Sequence, residues 1–302
     1  MSEKVLLVYG GFSAEREVSL SSKNDIAAAL KSKGYTVIEH DLTDVWAFLD
    51  VLKTEKPDVV YNGLYGNWGE DGEIQGLLDM LQIPYTHSGL KASALGMDKY
   101  LTKLLASAAG VKVAQGEKTT AGEYLQHGTK VPYPYVVKPV CDGSSVGVYI
   151  VHNAEEEKNV TYPDSNLLLL VEQYIAGREL TVMCLNGKSS VITELKTDCA
   201  FYDYQAKYTT GKTHHILPAE LPEDIAKTCK RYTETVYKDL GCQSVARCDF
   251  RYNEKDGVVL LEINTNPGMT ALSLVPEQAK YLGISFADLC DILVKNAACR
   301  KR

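Results

Sequence analysis

Apolar residues recur along this chain with two periods, and the places where the period changes outline its elements. Val5-Leu6-Leu7-Val8 is a short unbroken apolar run of the kind that fills a strand buried on both faces. From about Ser19 to Lys33 the apolar positions return with helical spacing, which predicts a helix stopped by Gly34. Tyr35 to Ile38 then reads as a strand. A helical stretch over Val45 to Leu52 precedes the buried-looking Val59-Val60-Tyr61, and another over Ile74 to Leu81 follows a glycine-rich loop. This alternation predicts a small parallel α/β unit over residues 1–91.

From Ala92 to Gly177 the pattern changes to one helix, Lys99 to Ala109, followed by short strands at Tyr135 to Lys138, Val146 to Val151 and Leu167 to Glu172. Beyond Arg178, the hairpin signals Asn186-Gly187 and Lys255-Asp256-Gly257 alternate with helical stretches over Glu223 to Leu240 and Phe286 to Asn296. The expected fold is therefore α/β: a parallel unit over 1–91, then two α+β units over 92–177 and 178–302. With no internal repeat or low-complexity linker, these units are expected to pack around a shared cleft.

Composition narrows the function. A length of 302 residues suffices for several cores. No apolar run approaches the roughly 20 residues of a bilayer-spanning helix, and Met1-Ser2-Glu3-Lys4 leads into the first strand without a secretory signal. A cytoplasmic protein without a membrane partner is expected. Eight cysteines lack any Cys-x-x-Cys, which excludes zinc-ribbon and dithiol redox spacing and fits reduced thiols. The net charge of -7 is not the basic footprint of a nucleic-acid binder.

Candidate chemistry concentrates in one hairpin. In Val245-Ala246-Arg247-Cys248-Asp249-Phe250-Arg251, period two puts Arg247 and Asp249 on one face and Ala246, Cys248 and Phe250 on the other. After the Asp256-Gly257 turn, an antiparallel return brings Glu262 roughly opposite Asp249, with Asn264 two residues further on the same face. Two carboxylates and an amide oxygen suit magnesium; the same spacing also fits a strand ion pair between Asp249 and Arg247.

The loop Cys141-Asp142-Gly143-Ser144-Ser145-Val146-Gly147 follows Val137-Lys138-Pro139 and combines close backbone approach, hydroxyls and a lysine, as phosphate-binding loops do. It is not a Walker A motif, and taken alone it also fits an ordinary hairpin turn. Gly10 to Glu17 lacks the dinucleotide fingerprint. The aromatic stretch Phe201 to Gly211 reads as a lid over a cleft. Adjacent His214 and His215 point opposite ways in extended chain and read as surface residues.

Together the motifs resemble the D-alanine--D-alanine ligases of the ATP-grasp superfamily over essentially the whole chain. The resemblance rests on Gly10-Gly11-Phe12-Ser13-Ala14-Glu15-Arg16-Glu17-Val18-Ser19, Gly69-Glu70-Asp71-Gly72, Met97-Asp98-Lys99, Val137-Lys138-Pro139, Gly143-Ser144-Ser145-Val146-Gly147, Phe201-Tyr202-Asp203-Tyr204, Ala206-Lys207-Tyr208 and Glu262-Ile263-Asn264-Thr265-Asn266-Pro267-Gly268-Met269-Thr270. It implies an ATP-grasp fold and ATP-dependent ligation of two D-alanine molecules through a D-alanyl phosphate, for peptidoglycan precursor synthesis.

By that resemblance, Asp249, Glu262 and Asn264 hold two magnesium ions, with manganese as the alternative metal. Lys99, Lys138, Lys207 and Ser144 contact ATP, while Glu172 and Glu179 recognise the adenine edge and the ribose. Glu15 holds the first D-alanine ammonium and links to Ser144 and Tyr208; Arg247 and the Gly268 N–H stabilise the oxyanion. Ser273 and the Leu274 backbone receive the second D-alanine carboxylate, and Tyr202 shapes that pocket. A homodimer is implied.

Two positions depart from the family pattern: Tyr65 stands where histidine is usual, which touches substrate positioning, and Gln205 where glutamate is frequent. Related activities on the same resemblance are D-alanyl-D-lactate or D-alanyl-D-serine ligation, and from another class a non-catalytic ATP-binding regulator. Retention of Asp249, Glu262, Asn264, Arg247 and Lys207 weighs against the regulator.

Overall fold

The computed structural model describes residues 3–143, 146–197, 213–270 and 273–301. Its first sheet places β1 (Lys4–Gly10) between β2 (Thr36–Leu42) and β3 (Val59–Asn62), all parallel. The central position explains why Val5 to Val8 carry no polar residue: all four are fully buried. Helix α1 (Arg16–Ser32) starts ahead of the apolar period, since its first turn faces the cleft, and it ends at Lys33 before Gly34. Helices α2 (Val45–Glu55) and α3 (Glu73–Leu81) follow, the first capped by the Asp44 carboxylate accepting from the Ala47 N–H.

The second sheet is antiparallel with the order β4-β7-β5-β6, formed by β4 (Gly116–Thr120), β5 (Tyr135–Pro139), β6 (Tyr149–Val151) and β7 (Leu168–Gln173). It is preceded by α4 (Leu90–Met97) and α5 (Lys99–Ala108) and carries α6 (Ala121–His127) and the single turn α7 (Ala154–Glu157). Strand β6 is shorter than the expected Val146 to Val151, because Gly147 adopts a left-handed φ of 67° that keeps Val146 and Gly147 in a turn.

The third sheet has the order β10-β9-β8-β11-β12 and comprises β8 (Arg178–Leu185), β9 (Lys188–Thr197), β10 (Thr213–Ile216), β11 (Val245–Asn253) and β12 (Gly257–Asn264). Asn186-Gly187 makes the two-residue β8–β9 connection, both residues having positive φ as a twisted hairpin requires. Among the described residues three helices complete this part: α8 (Glu223–Leu240), α9 (Leu274–Tyr281) and α10 (Phe286–Lys295). No helix among the described residues is long and apolar enough to cross a membrane.

The first and third sheets share a core, and the second keeps its own around Tyr135, Val137 and Val171. Ala92 of α4 and Ala106 of α5 join Leu180, Val236, Phe250 and Leu260 in the core beneath the third sheet. Leu289 and Leu293 of α10 return to pack with Val5 of the first sheet and with Ile26 and Leu30 of α1. Apolar burial of this kind fixes the sheets around one cleft, at about 25 cal/mol per Å² removed from water.

Gly177 links the second and third sheets at a close approach: φ is 114°, and an added Cβ would lie 2.3 Å from the Tyr252 carbonyl oxygen. Its own carbonyl accepts from Arg251 at 3.0 Å. Gly177→Ala is therefore expected to destabilise the fold by about 2–4 kcal/mol, combining backbone strain with a forced strand shift. Urea unfolding at constant pH measures it, and a midpoint unchanged from the parent would refute the close approach.

Candidate active site

The cleft between the sheets encloses a cavity of about 220 Å³. The β11–β12 hairpin forms one wall. Its register pairs Asp249 with Glu262 and Arg247 with Asn264, and the register shifts between Asp249 and Phe250 so that Leu261 of β12 is left out of the pairing, a bulge. Ala246, Cys248 and Phe250 are fully buried on the opposite face, as period two requires.

Both readings of this hairpin meet in the Asp249 carboxylate. Arg247 donates to it through two nitrogens at 2.9 and 2.8 Å, so the strand ion pair is formed and bidentate. Thr181 donates at 2.6 Å and the Asn264 amide at 3.2 Å. Asp249, Glu262 and Asn264 thus gather hard oxygen donors at the cleft wall, a set that fits magnesium by donor chemistry. No cluster of three or more His, Cys, Asp or Glu side chains suited to a metal occurs among the described residues.

Lysines face this wall. The Lys99 ammonium donates to the Asp142 carbonyl and lies 3.6 Å from Glu262. Deeper in the cleft, Glu172 is held between two ammonium groups, Lys138 at 2.8 Å and Lys103 at 2.6 Å. Burial works against the charged Glu172, but Lys103 and Lys138 outweigh it and hold the carboxyl below its ordinary range. Burial likewise opposes the charge on Lys138, which Glu172 and then Glu262 push upward. On Lys103 burial wins and the shift is downward, against the pull of Glu172. Glu179 pairs with Arg251 at 2.8 Å on the cleft rim.

Across the cleft, the Glu15 carboxylate is closely packed: a Cβ on Gly66 or Gly143 would come within 2.6 or 2.9 Å of its Oε2. Glu70 stands near it, its carboxyl pushed well above the ordinary range by burial and then by Glu15, with Gly66, Arg247 and Lys99 acting in the other direction.

Tyr65 is buried, and its hydroxyl accepts from the Met269 N–H at 3.1 Å and lies 3.3 Å from the Ser22 hydroxyl. Ser13 donates to the Tyr65 carbonyl, and the Asn266 amide to the Leu64 carbonyl, at 2.6 and 2.7 Å. This segment therefore ties the loop bearing Glu15 to the loop bearing Gly268. Gly268, Ser273 and Leu274 line the same end of the cleft, where Ser273 Oγ accepts from the Thr270 N–H at 3.0 Å.

Of the residues singled out from the sequence, Glu15, Tyr65, Lys99, Lys138, Glu172, Glu179, Arg247, Asp249, Glu262, Asn264, Gly268, Ser273 and Leu274 all line this one cleft. Ser144, Tyr202, Gln205, Lys207 and Tyr208 lie outside the described residues. His215 pairs with Glu277 at 2.8 Å and His214 is exposed; neither lines the cleft. Sequence reasoning missed Lys103 and Thr181, and gave no role to Glu70, quoted only within Gly69-Glu70-Asp71-Gly72. The signal for Lys103 was its position one turn after Lys99 on a helix whose neighbouring residues, Thr102 and Ala106, are buried.

Residues 105–295 match the family described as D-ala D-ala ligase C-terminus, and residues 48–88 the D-ala D-ala ligase N-terminus. The chain is similar to the D-alanine--D-alanine ligase of Ruegeria sp., 46% identical over 302 residues covering 99% of this chain and 97% of that one. It is also similar to the D-alanine--D-alanine ligase of Cereibacter sphaeroides, 47% identical over 301 residues at 99% and 97% coverage. The crystal structure of D-alanine--D-alanine ligase from Bacillus anthracis complexed with ATP superposes with a TM-score of 0.82 at 30% identity, covering 98% of this chain and 97% of that one. The three sheets and their cleft are thus the ATP-grasp arrangement. Matched by the family over most of its length, and by such relatives over nearly all of it, the chain belongs to the D-alanine--D-alanine ligase family.

Proposed function

We propose that this enzyme joins two D-alanine molecules at the expense of ATP, releasing ADP and phosphate. The observation that carries the reading is the hairpin wall bearing Arg247, Asp249, Glu262 and Asn264, which confronts Lys99 and Lys138 in the same cleft as Glu15. A carboxylate oxygen of the first D-alanine attacks the γ-phosphorus and ADP leaves, giving an acyl phosphate. The amine of the second D-alanine, after losing a proton, attacks the carbonyl carbon, and the tetrahedral oxyanion collapses by expelling phosphate.

Glu15 holds the first ammonium, Arg247 and the Gly268 N–H face the oxyanion, and Ser273 with the Leu274 backbone receives the second carboxylate. Lys99, Lys138 and Lys207 contact the phosphates or the nucleotide, Ser144 contacts ATP, Glu172 takes the adenine edge and Glu179 the ribose, with Tyr202 shaping the acceptor pocket and Tyr208 linked to Glu15 and Ser144. Asp249, Glu262 and Asn264 are the residues suited to hold magnesium, which supplies neutralisation of phosphate charge when bound. The units 1–91, 92–177 and 178–302, a homodimer, a cytoplasmic location and a role in cell-wall precursor synthesis belong to the same proposal.

Phosphate release on adding D-alanine to enzyme, ATP and magnesium, with the product identified by mass spectrometry, tests it. Ester product from D-lactate, or mixed dipeptide from D-serine, in preference to D-alanyl-D-alanine would give the related ligases. Nucleotide binding without phosphate release would give the regulator.

Tyr65 is engaged by the loop that carries Gly268, so its hydroxyl acts by holding that loop. Tyr65→Phe leaves the Met269 N–H without its acceptor, a loss of about 1–2 kcal/mol. Turnover is expected to fall about 5- to 30-fold with the KM for ATP unchanged. Steady-state kinetics with each substrate varied separately decides this; a raised D-alanine KM at unchanged kcat would instead assign the hydroxyl to substrate contact.

A further inference from the structure

Lys103 lies behind the cleft and does not line it. Its side chain is 5% exposed, its ammonium is 2.6 Å from Glu172 Oε2, and it donates to the Leu260 carbonyl at 3.3 Å. Glu172 is itself 2% exposed, with Oε1 facing Lys138. The same cleft is lined by apolar side chains, Val136, paired with Glu172, and Ile150 on one sheet, Leu261 on the other, and the buried Ile175. Apolar walls around one buried acceptor suit a flat heterocycle whose edge donates a hydrogen bond.

We propose that Lys103 is a positioning residue for nucleobase choice: it holds Glu172 as an acceptor-only carboxylate, so that the slot takes a base with an exocyclic amine at that edge and rejects one with a carbonyl there. This deepens the assignment of Glu172 to the adenine edge and rests on it.

The physical reason is donor and acceptor matching. An ionised carboxylate has no proton to give, so an amine satisfies it while a carbonyl oxygen places acceptor against acceptor. Such a mismatch in a buried slot discriminates strongly, since both groups have lost water and neither is repaid. Two ammonium groups fix the charge and the rotamer of Glu172; removing the one behind it frees the carboxyl to take up a proton and donate to a carbonyl edge. Lys138 lines the cleft and faces a bound phosphate there, whereas Lys103 is enclosed and meets Glu172 from behind the cleft.

The test compares kcat/KM for ATP and inosine triphosphate, which differ at that edge by amine against carbonyl, in the parent, Glu172→Gln and Lys103→Met. Glu172→Gln, whose amide can donate as well as accept, is expected to narrow the ATP preference about tenfold or more. Lys103→Met is expected to narrow it about three- to tenfold, with the D-alanine KM unchanged and Lys103→Arg restoring most of the preference. An unchanged ratio in Lys103→Met beside a narrowed one in Glu172→Gln overturns the role of Lys103 and leaves the adenine assignment standing. An unchanged ratio in both overturns the assignment as well. If Lys103→Met does not fold by circular dichroism, Lys103→Gln keeps a donor for the Leu260 carbonyl while removing the charge, and is read by the same ratio. Equal losses with both nucleotides would make Lys103 a structural strut only.

Discussion

Glu262→Gln is expected to lower ligation turnover by about a hundredfold or more while leaving the protein folded. Glu262 stands directly opposite Asp249 at the end of the hairpin, with its carboxylate 3.6 Å from the Lys99 ammonium. Glutamine has nearly the same shape, so the register of β12 and the core contacts of Leu260 and Ile263 on either side are preserved. What changes is charge. The amide offers one neutral oxygen where the carboxylate offers two charged ones, and a hard divalent ion is held chiefly by charge and oxygen count.

Because Lys99 and Lys138 still face the cleft, nucleotide affinity should fall less than turnover. Phosphate release with saturating ATP and D-alanine gives the first quantity, nucleotide titration the second, and circular dichroism the fold. Near-normal turnover in a folded variant would remove Glu262 from the reacting centre. Partial recovery at raised magnesium would be the signature of weakened ion holding.

The hairpin carrying this chemistry could be read from sequence for a physical reason: strict alternation, a tight turn and opposite chemistry on its two faces leave few registers open. The bulge at Leu261 could not, since an unpaired residue leaves no mark on the period. Helix α8 was legible to the residue because a long amphipathic stretch ends at Gly241 with a left-handed φ of 76°. The short elements α4, β4, α6 and α7 were not, since so few residues carry no measurable period.

Lys103, and the partner of the Tyr65 hydroxyl, escaped for a different reason. A lysine is expected at the surface and a tyrosine hydroxyl toward solvent or substrate. Only the fold brings Glu172 to the one and the Met269 N–H to the other. Sequence spacing offered a strand ion pair and an oxygen-rich ion site as alternatives at Asp249; the geometry forms the ion pair, with the Asn264 amide donating to the same carboxylate.

That adjacency sets up the second large effect, on Arg247. Its guanidinium grips Asp249 through two bonds, and both side chains are mostly buried, 16% and 13% exposed. Arg247→Met keeps the length and apolar stem of the side chain but removes the charge and the fork. Asp249 then retains only the Thr181 hydroxyl and the Asn264 amide among these three donors, which should cost about 1–3 kcal/mol of stability. A purely structural arginine would stop there: the hairpin would loosen, and nucleotide affinity and turnover would fall together. An arginine facing the developing oxyanion behaves differently, because its charge matters most when the tetrahedral centre forms. We expect turnover to drop about 10²- to 10³-fold, with nucleotide affinity changed less than about threefold. Arg247→Lys separates the components further, since a single ammonium restores charge without the fork. It should recover part of the turnover if charge at the oxyanion dominates, and little if the bidentate hold on Asp249 is what counts. Single-turnover phosphate release measured beside nucleotide titration on all three proteins distinguishes these outcomes; parallel losses of binding and rate in Arg247→Met would leave Gly268 as the sole oxyanion donor assigned in this cleft.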